Sequence, residues 1–167
     1  GPPANEADLS PQAQVRWDDT AFYLAVRVRD DIHRNDQKDG ALWDGDGLQF
    51  SFTPQPDTPD APRAELGCAL TSAGPQAWAW QAFPRAPTGP VIFPLAIKRL
   101  EAGTLYEMAI PWTMLPGVGP KPGTCLGFSL LVNEQDTADR GYYGWHGGVS
   151  EPKDPMALGQ VTLVGGE

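Results

Sequence analysis

Apolar and polar residues alternate strictly over residues 21–29, AFYLAVRVR. Phe22, Leu24, Val26 and Val28 point to one side, and Tyr23, Ala25, Arg27 and Arg29 to the other, which is the period of a half-buried strand. A loop dense in Asp, Gly and Asn follows, too rich in turn formers to be a helix. The alternation then resumes, with Leu48, Phe50 and Phe52 on one face and Gln49 and Ser51 on the other. The same reading predicts strands over residues 12–17, 65–71, 76–83, 91–100, 104–111, 126–133 and 158–164. Asp18-Asp19-Thr20 makes the first two strands a hairpin, and residues 111–115 read as a single helical turn. Residues 54–63 (PQPDTPDAPR) form a Pro-rich surface excursion, and residues 134–157 a long loop rich in Asp, Gly, Tyr and Trp. About nine or ten short strands with almost no helix predict an all-β antiparallel sandwich of the jelly-roll kind. No internal repeat suggests a propeller.

Composition sharpens this picture. The 167 residues include 19 Gly and 18 Pro, falling between short apolar runs, so residues 1–167 read as one domain with many turns. The formal net charge is −9 and basic residues do not cluster, which argues against nucleic acid and anionic membranes. No apolar run reaches transmembrane length. The chain opens at Gly1-Pro2-Pro3 without a signal peptide, as a module cut from a larger protein would. Cys68 and Cys125 each sit in an apolar run and could bridge two strands or remain buried thiols.

The candidate chemistry is aromatic. Trp43 lies between strands, next to Asp44 and close to Asp46. A pyranose stacks its C–H face on an indole and offers its hydroxyls to planar polar groups, so an uncovered tryptophan among such groups reads as a sugar site. Gln49 and Arg16 point away from their strands' apolar faces and are the expected hydroxyl partners on one open face. Trp145 and His146, in GYYGWHGG, are expected on a loop that folds over to face Trp43, with Tyr143 or Tyr142 beside them. Trp78 and Trp80 share a strand face. Core packing is the commoner use of such a pair, and Trp80 stays among the sugar-contact candidates. Trp17 and Trp112 are read as core. Glu65 and Glu107 are expected to face solvent; with no GxSxG and no pair of carboxylates set for hydrolysis, the chain reads as non-catalytic. Met108 alternates inward, so no haem site is expected.

In this order, the segments WDDTAFYLAVRVRDD, LWDGDGLQFSF, YEMAIPW, LGFSLLVNEQD and KDPMALGQVTL resemble the family 9 carbohydrate-binding modules and the wider DOMON-like sandwiches, from about Asp8 to Val164. The resemblance implies a non-catalytic, secreted or cell-surface module, monomeric and tethered to a glycoside hydrolase or similar enzyme. Such a module clamps the end of a neutral glucan or xylan chain between two tryptophans and holds structural calcium. Trp43 occupies the place of the first clamp tryptophan, and Gln49 that of an acidic residue that bonds sugar hydroxyls. Where the second tryptophan is expected, the chain reads Glu151-Pro152-Lys153, and Leu131 takes a position expected to be polar. For calcium the expectation rests on two acidic loops. Asp30 and Asp136 would be ligands, with Asn133 and Asp46 orienting nearby backbone. The other reading of this fold is a structural or interaction sandwich without a sugar site.

Overall fold

The computed structural model describes residues 9–82, 88–115, 117–136, 140–150 and 152–165. Eleven strands are found there: β1 (Ser10–Trp17), β2 (Ala21–Arg29), β3 (Gly47–Thr53), β4 (Ala64–Thr71), β5 (Gly74–Gln81), β6 (Gly89–Pro90), β7 (Leu95–Leu100), β8 (Gly103–Pro111), β9 (Cys125–Glu134), β10 (Gly141–Trp145) and β11 (Gly159–Thr162). They form two antiparallel sheets. One runs β1-β2-β8-β7; the other runs β10-β9-β3-β4-β5-β6, with β11 also paired to β9. Because β3 takes one edge of β9, strands β10 and β11 lie end to end along the other. Phe83, the expected end of one strand, lies outside the described residues, as do Asp8 and Glu151.

The alternating apolar residues meet between the sheets. Phe22 from the first sheet packs edge-on to Phe52 at 5.2 Å and lies 5.4 Å from Phe128, with Phe52 and Phe128 5.0 Å apart. Each such pair adds about 0.5–1.5 kcal/mol beyond the area it removes from water. Leu24, Val26, Phe50, Tyr106, Met108, Ile110 and Leu130 complete the layer. Trp112 is buried and donates to the Asp18 carbonyl, while half-buried Trp17 packs against the core and donates to the Val164 carbonyl. Asp18 shapes the β1–β2 turn: its Oδ1 accepts from the Thr20 hydroxyl at 2.6 Å and from the Thr20 and Ala21 amides at 2.7 and 3.0 Å. Those bonds, led by the one from the hydroxyl, lower its pKa to about 2. Both cysteines are free thiols, and burial pushes the Cys68 thiol well above its ordinary range.

The all-β antiparallel sandwich matches the expectation, and three local readings are corrected. The loop before β3 contains a 3-10 helix, Asp39–Asp44, with Asp39 at φ 52° and Leu42 buried under it. The segment read as a long loop contains β10 and another short 3-10 helix, Pro155–Ala157, whose Asp154 cap accepts from the Met156 amide. Glu65 does not face solvent; it is 1 % exposed. The polar faces of β3, β4 and β9 are covered as well as the apolar ones, so the larger sheet is buried on both sides at its centre.

Candidate functional site

The strand register decides which side chains meet on the outer face of the larger sheet. Gln49 lies opposite Gly67 on β4 and Leu131 on β9, so it shares their outward direction. Glu65, Trp78, Asn133 and Tyr142 share it too, since directly opposed residues in an antiparallel pair point the same way. On β5 it is the alanines that turn inward: Ala79 is core and Ala77 packs against it. The indoles of Trp78 and Trp80 therefore stand on the outer face, which corrects the core reading of that pair. Gly67 makes this possible, because a Cβ there would lie 2.6 Å from the Trp80 ring.

A hollow of about 610 Å³ opens on this face, between Trp43, Trp80 and Tyr142 and over Gln49, Arg63, Glu65 and Gln81, with Arg140 and Lys153 on its wall. Trp43 projects into it from the 3-10 helix and is 39 % exposed. The Trp80 indole N–H donates to the Gly40 carbonyl of that helix at 2.7 Å, which fastens it to the sheet. The Arg140 guanidinium lies 4.8 Å from the Trp43 ring centroid and 5.7 Å from that of Tyr142. Cation–π attraction thus holds two aromatics and a cation in one wall.

Beneath the rings runs a continuous polar chain. Arg140 donates to Asn133 Oδ1 through Nε at 3.2 Å and Nη2 at 2.5 Å. Asn133 Nδ2 donates to Gln49 Oε1 at 3.0 Å, and Gln49 Nε2 to Glu65 Oε1 at 3.2 Å. The buried Glu65 carboxylate also takes Lys153 Nζ at 2.5 Å and Arg63 Nη1 at 3.2 Å. Arg63 continues to the Gly148 carbonyl and to Gln81 Oε1. Each planar group is fixed by its neighbour, so the floor is rigid before any ligand arrives. Burial lowers the Arg140 pKa, against the opposing carboxylate of Asp44.

Trp43, Gln49, Trp80 and Tyr142 are therefore brought together, and Trp145, His146, Tyr143 and Arg16 are not. Trp145 and Tyr143 lie opposite Leu130 and Val132, so alternation along β10 turns them to the inner face. There they line an apolar slot between the sheet edges with Ala13, Val15 and Phe128. His146 packs edge-on to Trp145 at 4.4 Å and against Gly159, away from Trp43. Arg16 sits on the outer face of the other sheet, beside Gln14, Tyr23 and Glu107. Tyr142, one residue from Tyr143, is the aromatic that β10 delivers to the hollow. Arg63, Glu65, Gln81, Arg140 and Lys153 were not among the expected contacts. A signal for Glu65 existed, since it alternates with the inward Leu66 and Cys68 and must share the face of Gln49.

The acidic loops also converge. Carboxylate oxygens of Asp30, Asp31 and Asp136 lie within 4.8 Å of one another, as do ligand atoms of Asp30, His33 and Asp46. Asp46 ties two stretches of backbone together: its Oδ2 accepts from the Arg34 amide at 2.5 Å and its Oδ1 from the Gln135 amide at 2.7 Å. Asn133 does not; its amide belongs to the polar chain under Trp43. Arg99 binds both the carboxylate and the carbonyl of Asp30. Burial raises the pKa of Asp30, and raises that of Asp46 to about 7 with help from the charges of Asp30 and Asp136.

No protein-family model matches the chain. Over 164 residues, 95 % of the chain, it is 22 % identical to endo-1,4-beta-xylanase A of Thermotoga maritima, and over 168 residues 23 % identical to that of Thermotoga neapolitana. The chain spans 14 % of the length of each xylanase. Among solved structures, a family 9 carbohydrate-binding module from Caldicellulosiruptor kristjanssonii in complex with cellotriose superimposes with a TM-score of 0.73 at 18 % identity, over 98 % of this chain and 80 % of that one. The same organism's module in complex with glucose gives 0.66 at 18 % identity, over 98 % and 81 %. The fold is that of these modules.

Proposed function

We infer that the chain is a non-catalytic carbohydrate-binding module, which holds a saccharide in the hollow beside Trp43 and targets an attached carbohydrate-active enzyme to its polysaccharide. The observation that supports this most is the half-open indole of Trp43 above a floor of fixed planar groups. That is the pairing a pyranose needs, an apolar surface for its ring and amide and guanidinium groups for its hydroxyls. The fold shared with modules that hold cellotriose and glucose supports it, as does the likeness to one segment of two xylanases. The module acts as a monomer outside the cell, where polysaccharide is met. Among the described residues no helix is long and apolar enough to cross a membrane.

Calcium belongs to the same reading. Asp30, Asp31 and Asp136 would hold it, because three converging carboxylates are an all-oxygen set suited to a hard cation. It would fasten the loop after β2 to the loop after β9.

The test is titration calorimetry with soluble glucans, xylans and their oligomers, beside Trp43→Ala. The expected result is binding by the wild type and a loss of at least about tenfold in the variant. Absence of heat with every glycan would leave the structural reading of this sandwich in place instead.

A further inference from the structure

Among the described residues, the side chains that line the hollow carry a charge balance opposite to that of the whole chain. The chain carries a formal −9, yet the described side chains lining the hollow include three cations, Arg63, Arg140 and Lys153, against the carboxylate of Glu65. Asp44, near Arg140 at the rim, is a second negative charge, and the balance among the described residues remains positive. Two of the cations share a carboxylate, since Arg63 and Lys153 both bond Glu65. Arg140, among its other contacts, donates to the Asn133 amide oxygen and lies over the Trp43 ring. Lys153 is 36 % exposed at its side chain, so its ammonium can meet a ligand while still bonded to Glu65. A cluster of this kind, partly removed from water, favours a negative charge over a neutral hydroxyl.

Resting on the reading above, we propose that the hollow prefers a saccharide whose ring carries an anion. The ring lies against Trp43, and its charged substituent meets Arg140 and Lys153. A uronic acid carboxylate and a sulfate ester share that chemistry. An open-chain aldonate does not fit, because it has no ring to lie on the indole.

The test compares glucuronate, glucose 6-sulfate, glucose, the uncharged methyl ester of glucuronic acid, and cellotriose by titration calorimetry at low salt. At least one of the two anionic sugars is expected to bind about 10- to 100-fold tighter than glucose and the ester, the range a charge-assisted hydrogen bond spans. Which of the two leads identifies the substituent. The advantage shrinks in 0.5 M NaCl, where charges are screened over a few ångströms. Lys153→Gln lowers the ratio of anionic to neutral affinity, with thermal melting confirming that the variant folds. Glucose or cellotriose binding as tightly as both anions overturns the preference and leaves the carbohydrate reading intact. No binding by any of the five overturns the preference, and the carbohydrate reading falls with it only if the glucans and xylans of the first titration are silent too.

Discussion

Replacing Glu65 by Ala removes the carboxylate that holds the buried polar floor together. Its side chain is 1 % exposed, and that of its partner Arg63 is 6 %. Without Glu65, Arg63 keeps the neutral acceptors, the Gly148 carbonyl and Gln81. Lys153, at 36 %, can turn to water, so its share of the loss is small. Breaking a buried pair by deleting one partner costs about 3–5 kcal/mol, because the remaining charge is left in a poorly solvated place. For a domain of this size that corresponds to a fall of roughly 6–20 °C in Tm. Urea unfolding at pH 7, followed by tryptophan fluorescence, measures it directly. The double variant Arg63→Met/Glu65→Leu removes both charges and is expected to recover most of the loss, to within about 1–2 kcal/mol of wild type. A loss under about 1 kcal/mol for Glu65→Ala would refute this, since it would mean that water, not protein, solvates the Arg63 guanidinium.

Chelation is expected to lower the melting temperature if calcium bridges the acidic loops. A free ion at a hundred times its Kd adds about 2.7 kcal/mol, and an unchanged melt in EDTA removes calcium from the reading. In metal-free protein Asp46 makes stability depend on pH. Its pKa is about 7 in the folded state against an ordinary 3.8, so the native form holds the proton more tightly, and stability falls as pH rises from about 4 to about 7. The fall is at most on the order of 4 kcal/mol; Asp46→Asn is expected to flatten it, and equal pH profiles for the two proteins would contradict this. Gly67→Ala forces a methyl against the Trp80 ring and the Leu48 carbonyl, so it is expected to cost about 1–3 kcal/mol and to shift the tryptophan emission. An unshifted spectrum at full stability would show that Trp80 does not rest on Gly67.

Much of the sandwich was legible because alternation in β2, β3, β8 and β9 has one reading, a strand with an apolar side. Trp43 and Gln49 were legible for the same reason, since each stands out against its surroundings. What escaped was the use of the polar side. Ser51, Glu65 and Ser129 look like solvent-facing residues in a strand, yet all three are buried, and nothing local to those strands announces the cover. The five residues of β10, GYYGW, are too few and too rich in glycine for the pattern to register. Once that segment is a strand, its two tyrosines must part, one toward the hollow and one away. In QAWAWQ both faces are apolar, so only the pairing with Gly67 and Leu66 reveals that the small alanines, not the indoles, fill the core.

The bond from the Trp80 indole to the Gly40 carbonyl works as a latch on a hinged leaf. With it closed, the freedom of residues 39–44 is given up once, during folding, and a guest arrives at a finished wall. Were position 80 a phenylalanine, the leaf would still hang from buried Leu42 and the Asn35 amide, and part of that freedom would have to be surrendered anew at each encounter with the ligand.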